Sequence, residues 1–232
     1  MLDIKAYASG SSGNCYAVSN GKVMVMLDCG LPLRQLLKVT GYRLPNACLI
    51  THEHGDHSKG ARDLARRGVD IYMTEGTAQE VFGQERGHRV HVLATGQSYN
   101  ILGLTVSPFE TEHDARDPCG FLVDDPDDRV LYATDTYYLK YRFPGMTKIM
   151  IECNHSYETL HERVAAGYLD KRLADRLVKS HFSIENLLAF FRANDLSAVK
   201  EIWLIHLSKD NANRETFRQA VERETGKMVF VA

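Results

Sequence analysis

No apolar run in this chain approaches the ~18 residues a bilayer-spanning helix requires, so membrane insertion as a helix is not expected. Neither sign of charge prevails: 28 Lys and Arg face 30 Asp and Glu, which excludes a polycation that coats nucleic acid and leaves room only for a local basic face. The five cysteines, Cys15, Cys29, Cys48, Cys119 and Cys153, never form a CxxC pair. That spacing excludes a disulfide framework and a cysteine-based zinc finger, and it suits reduced thiols used as small core residues. Met1–Tyr7 carries Asp3 and Lys5 where a signal peptide needs an uninterrupted apolar stretch, so export is not expected and a cytoplasmic protein is. There is no Pro- or Ser-rich linker, low-complexity tract or internal period, and the 232 residues are expected to form one domain, 1–232. Hydrophobic residues at 44% and charged residues at 25% exclude intrinsic disorder.

The pattern that is present predicts a β-rich first half. Leu2–Ala8, Cys15–Ser19 and Lys22–Leu27 read as strands, the last two joined at Asn20-Gly21, where both turn positions must tolerate positive φ. A helix over Leu31–Val39 and a buried strand over Asn46–Thr51 come after them. Next come a helix over Ser58–Arg67 closed by Gly68, a strand over Val69–Met73 and a helix over Gly76–Phe82. Val90–Leu93, Tyr99–Leu102, Leu104–Pro108, Gly120–Val123 and Arg129–Ala133 read as a meander, then Thr147–Glu152 as a strand. Helices are expected over Val164–Lys179, Ile184–Ala193 and Arg214–Glu224, with late strands Glu201–Ile205 and Met228–Val231. This order suits a mixed α/β (α+β) fold of two sheets with helices outside.

Three of the ten histidines fall within the segment Thr51-His52-Glu53-His54-Gly55-Asp56-His57, which comes after an apolar strand and before a helix. His52 and His54, two apart in extended backbone, point to one side. Asp56 and His57 lie beyond the turn at Gly55 and approach the same point from another angle. Imidazole and carboxylate suit borderline divalent cations. Two cations need about seven protein ligands. His113, Asp135 and His206 each come after a predicted strand and so project from the same kind of edge. Singly, each has an ordinary reading as a hydrogen-bonded histidine or a turn aspartate; their shared position favours the metal.

HxHxDH after a strand, with a later His, Asp and His at strand ends, resembles the metallo-β-lactamase fold, and the resemblance spans nearly the whole chain. It implies a four-layer αββα sandwich with two metals at one edge. Position by position it implies His52, His54 and His113 on one metal, Asp56, His57 and His206 on the other, and Asp135 bridging. It also implies that Asp28 orients the ligand loop. Ser9-Gly10-Ser11-Ser12-Gly13-Asn14, His113-Asp114-Ala115, Glu152-Cys153-Asn154-His155 and Ser180-His181-Phe182-Ser183 together are similar to the YycJ/WalJ group, regarded as cytoplasmic metal-dependent nucleases. That group more often has Gly before the later His and Ser in place of Cys153. These departures spare the presumed ligands and bear on the substrate.

The implied chemistry is hydrolysis: two cations (Zn, Mn or Fe) sharing Asp135 would lower the pKa of a bridging water to give hydroxide and would neutralise charge on the attacked group. Asp135 and His57 set the chain apart from true β-lactamases and beside the phosphodiesterase and thioesterase branches. Asp56, Asp135 and His181 are the candidate catalytic residues. His181 precedes a predicted helix, where it would hold a phosphate oxygen or protonate a leaving group; a backbone-bonded loop histidine is the ordinary alternative. Ser11, Ser12, Asn14, Asn154, His155, His181 and Ser183 are the candidate substrate contacts, although a plain Gly/Ser turn explains 9–14 equally well. Arg163, Lys171, Arg172, Arg176 and Lys179 form a basic run for which a solvated helical face is the ordinary account. The expected function is a dinuclear phosphodiesterase acting on nucleic acid, as a DNA exonuclease. The alternatives are a hydrolase of a small thioester or lactone on the same metals, and a non-catalytic metal-containing nucleic-acid-binding module.

Overall fold

The computed structural model describes residues 1–232, which divide into two compact units: Met1–Glu110 with Ala115–Asp128, and Thr111–Asp114 with Arg129–Ala232. In the first unit a six-stranded sheet keeps chain order: β1 (Asp3–Ala8), β2 (Cys15–Ser19), β3 (Met24–Leu27), β4 (Ala47–Leu49), β5 (Asp70–Met73) and β6 (Val90–Val92). The first three strands are antiparallel, and Asn20-Gly21 makes the β2–β3 turn: Gly21 has φ 83° and Asn20 Oδ1 accepts from the Val23 amide. From β3 onward the pairs are parallel, each return supplied by helices: α1 (Leu33–Val39), then α2 (Gly55–Ser58) with α3 (Ala61–Arg66), then α4 (Glu75–Phe82). Met26, Cys48, Ile50, Ile71 and Met73 pack against Leu36, Ala61, Leu64, Ala78 and Val81 of these helices. Cys15 and Cys29 join that core, and all five cysteines are buried free thiols; burial pushes those of Cys15 and Cys48 well above the usual thiol range. The thiols are packing, not chemistry.

The meander is narrower than the sequence predicts. Within the first unit β7 (Tyr99–Ile101), β8 (Leu104–Glu110) and β9 (Cys119–Asp124) pair antiparallel as expected, and the strand lost from the meander is β6, which pairs in parallel with β5. The helix α4 between β5 and β6 makes a parallel crossover, and alternation within a short strand does not report its partner.

The second unit is parallel throughout: β10 (Arg129–Ala133), β11 (Lys148–Glu152), β12 (Glu201–Ile205) and β13 (Met228–Val231) pair in that order. Helices α5 (Tyr157–Ala165), α6 (Lys171–Ser180) and α7 (Ile184–Ala193) connect β11 to β12, and α8 (Arg214–Thr225) connects β12 to β13. The helix expected over Val164–Lys179 is therefore two. Gly167 breaks it at φ 75°, and Asp170 restarts it by accepting from the Arg172 and Leu173 amides, which would otherwise lack partners. The whole is a mixed α/β chain with two sheets, as expected. No helix is long and apolar enough to cross a membrane.

Candidate metal centre

In the first unit, β3 and β4 are parallel neighbours, so the segments leaving their carboxyl ends lie side by side: Asp28 after the one, Thr51–His57 after the other. Asp28 is fully buried and takes φ 56°. Its carboxylate accepts from the Thr51 amide at 2.8 Å, the Thr51 hydroxyl at 3.0 Å and His57 Nδ1 at 2.8 Å. One carboxylate thus ties both ends of the histidine loop. Because the Thr51 hydroxyl donates to Asp28, its oxygen accepts from His52 Nδ1, 3.0 Å away. His52 Nε2 then lies 3.1 Å from His54 Nδ1, two ring nitrogens converging on one point. His57 Nε2 faces the Asn14 amide nitrogen at 3.0 Å, and that amide lies 3.4 Å from Asp56 Oδ2. Gly30 makes the arrangement possible: a Cβ there would stand 1.6 Å from the Asp56 carbonyl oxygen.

In the second unit the parallel strands β10, β11 and β12 bring Asp135, Glu152 and His206 to adjacent carboxyl ends. Asp135 and His206 also have positive φ, 45° and 52°. With Asp28 they make three of the five non-glycine residues in that region, each costing about 1–2 kcal/mol of backbone strain. Glu152 is fully buried; Oε1 lies 2.6 Å from His181 Nδ1 and 2.7 Å from His206 Nδ1, while Oε2 accepts from the Thr136 and Phe182 amides at 3.1 Å. His206 Nδ1 is also 3.1 Å from Asp135 Oδ1, to which the Thr134 hydroxyl donates at 2.7 Å. His113 donates Nδ1–H to the Ser180 carbonyl at 2.9 Å and sets Nε2 at 3.6 Å from Asp135 Oδ2. Asp135, Glu152, His181 and His206 each offer one donor atom within 4.8 Å of the others.

Burial works to raise the Glu152 pKa, but the neighbouring His181 and the imidazole hydrogen bonds outweigh it and hold the carboxyl below the usual range. Burial likewise lowers His181, and Glu152 and Asp135 outweigh it, so its pKa is raised. His113 is different: burial dominates over Asp135, and its pKa is lowered towards the neutral, coordinating form.

The donor chemistry fits a metal. His52, His57, His113 and His206 share one device, in which Nδ1 is tied to a protein oxygen (Thr51, Asp28, Ser180 and Glu152) and the lone pair is left on Nε2. Ligating histidines are held this way, because a donated Nδ1–H fixes the tautomer and raises the basicity of the other nitrogen. With Asp56 and Asp135 each unit offers imidazoles and a carboxylate, the donor set of zinc, manganese or iron.

The other expected residues divide. Asn14 joins the histidine loop, whereas Ser11 and Ser12 are exposed. Ser183 caps α7 by accepting from the Asn186 amide, and Asn154 donates to the His206 carbonyl. His155 is fully buried, edge-on to Tyr157, with neither ring nitrogen hydrogen-bonded. Burial drives its pKa down to about 4 against the pull of Glu152, with His181 lowering it further. The unfolded chain then binds the extra proton between that value and about 6.5, so stability falls as pH drops through this window. His155→Leu is expected to remove about 2 kcal/mol of the stability lost between pH 7 and pH 5, measured as urea midpoints at both pH values; an unchanged pH dependence would contradict this.

Glu152 is the residue that the sequence reading passed over as a functional group. Its signal is a lone acid closing the apolar run Ile149-Met150-Ile151, at the carboxyl end of a strand.

Residues 24–207 match the family model described as the beta-lactamase superfamily domain. The chain is 31% identical over 223 residues to the exodeoxyribonuclease WalJ of Streptococcus pneumoniae, covering 90% of this chain and 82% of that protein. It is 26% identical over 235 residues to the exodeoxyribonuclease YycJ of Bacillus anthracis, covering 96% and 88%. Among solved structures, the metallo-β-lactamase fold protein YhfI from Bacillus subtilis superposes with a TM-score of 0.77 at 15% identity, covering 100% of this chain and 95% of that one. That superposition shows the fold.

Proposed function

This chain belongs to the β-lactamase superfamily and is a hydrolase of that group, and on that premise we propose that it is a dinuclear phosphodiesterase working as a DNA exonuclease. The observation that carries the reading is the repeated imidazole device, four histidines with Nδ1 tied to oxygen and Nε2 turned to coordinate, in a relative of proteins named exodeoxyribonuclease. In this proposal residues 1–232 act as one catalytic domain. His52, His54 and His113 hold one cation, Asp56, His57 and His206 hold the second, and Asp135 is shared. Bound there, two divalent cations would acidify a water and offset the charge that builds on an attacked phosphodiester.

The chain's own groups do the rest. Asp28 holds the His57 ring and the start of the ligand loop in place. Glu152 accepts hydrogen bonds from Nδ1 of both His181 and His206, so one carboxylate sets two rings. His181, held through Nδ1 and with its side chain 14% exposed, keeps its other nitrogen to hold a phosphate oxygen or pass a proton to the departing sugar oxygen.

The test pairs metal analysis with cleavage of end-labelled single- and double-stranded DNA and RNA. Metal-dependent release of nucleotides from DNA ends, stopped by chelator, is the expected outcome. Hydrolysis of small thioesters or lactones in its place would overturn the reading, as would oligonucleotide binding without cleavage at any metal loading. His181→Ala is expected to slow cleavage about 10²–10⁴-fold while the bound metal stays at wild-type content. Loss of both metals in that variant would assign His181 a different role.

A further inference from the structure

We propose that the exposed face of α6 is a phosphate-backbone track, on which Arg172, Arg176 and Lys179 hold the retained part of a polynucleotide strand beside the catalytic centre. This rests on the nuclease reading above and adds to it where the strand runs. The three residues are spaced four and three apart, which places them on one helical stripe. They line a groove of about 450 Å³ together with Asp114, Asp175 and Ser180. The stripe is about 10 Å long, the axial reach of about three nucleotides of a stacked strand.

Helix stability accounts for Lys179, in the last turn where the dipole favours positive charge, but not for Arg172. α6 has no acid in its first turn and opens with Lys171 and Arg172, at the end where the helix dipole disfavours positive charge. Several guanidinium groups elsewhere in the chain are neutralised, Arg86 by Glu75, Arg192 by Glu224 and Arg218 by Glu215 and Glu222, although exposed Arg34, Arg43 and Arg67 make no ion pair. Arg172 and Lys179 make no ion pair. Arg176 does, through Asp114 at 2.7 Å, and that pair has a position: Asp114 is the next residue after His113, whose ring is held by the Ser180 carbonyl at the end of α6. With Arg176 and Asp114 cancelling, Arg172 and Lys179 outweigh Asp175 in the groove. The stripe ends where His181 begins, so a strand lying along it leads to the candidate proton donor.

The test is salt-dependent binding of a phosphorothioate single-stranded DNA oligonucleotide, which resists hydrolysis, to the metal-loaded protein, read by fluorescence anisotropy. For R172A/K179A the slope of log affinity against log salt should become shallower by about 1.4, so that raising salt from about 50 to about 200 mM weakens binding about sevenfold less than in wild type. Hydrolysis of bis(p-nitrophenyl) phosphate, too short to reach the stripe, should keep its wild-type kcat/KM, and R172K/K179R should keep the wild-type slope. An unchanged slope in R172A/K179A, a parallel fall on the small substrate, or no binding by wild type would overturn the proposal. Wild-type protein that binds with the steep slope yet hydrolyses no phosphodiester would support the track and overturn the nuclease reading.

Discussion

Asp135→Ala is expected to abolish turnover, a loss of at least about 10³-fold, since it removes a charged group acting where the reaction develops charge. The buried carboxylate faces His206 Nδ1 at 3.1 Å and His113 Nε2 at 3.6 Å, so the same change removes the carboxylate proposed to be shared by the two cations. Asp135→Asn is the informative companion. Asparagine keeps the shape and tolerates the left-handed backbone that Asp135 adopts at φ 45°, so it separates loss of charge from backbone strain. Both variants should give wild-type far-UV circular dichroism, reduced metal content and no measurable cleavage. Full activity in Asp135→Ala would refute the dinuclear mechanism.

Glu152→Gln should lower activity about 10–100-fold or more, the scale seen when a carboxylate that orients a ligating histidine is replaced. The substitution is isosteric, and the glutamine oxygen can still accept from the Thr136 and Phe182 amides. Its amide nitrogen then faces the Nδ1 atoms of His181 and His206, as a donor where the protein has an acceptor. Each ring must move its proton to Nε2, the nitrogen that His206 would need for coordination. Metal affinity and cleavage should therefore fall together, with the thermal midpoint changed little. Glu152→Ala, by contrast, leaves two buried amides and two imidazoles without an acceptor and should also destabilise the fold. Equal activity in wild type and Glu152→Gln would remove Glu152 from the site.

The legible part of this molecule is the part written in contiguous residues. His52, His54, Asp56 and His57 stand on one loop, and an apolar strand before them is enough to place that loop at a sheet edge. The Asn20-Gly21 turn and most strand positions are readable from alternation and turn chemistry for the same reason. Helix boundaries fared less well where the break depends on capping: Gly167 and Asp170 divide a run whose hydropathy alone looks continuous. Partnership between strands was not legible either, as β6 shows by pairing with β5.

Local pattern by itself determined the residue types available for coordination, their position after strands and the class of cation they suit, because donor softness and strand periodicity are properties of short segments. Only the tertiary structure decided which nitrogen of each histidine is available. That choice is made by Asp28, Thr51, Glu152 and Ser180, each reached through a neighbouring strand, a bonded residue or a distant helix end, and a proton's place on an imidazole depends on what lies within hydrogen-bond reach, not on what stands nearby in the chain. It also decided the strained backbone at Asp28, Asp135 and His206, which local preference opposes and the surrounding contacts impose.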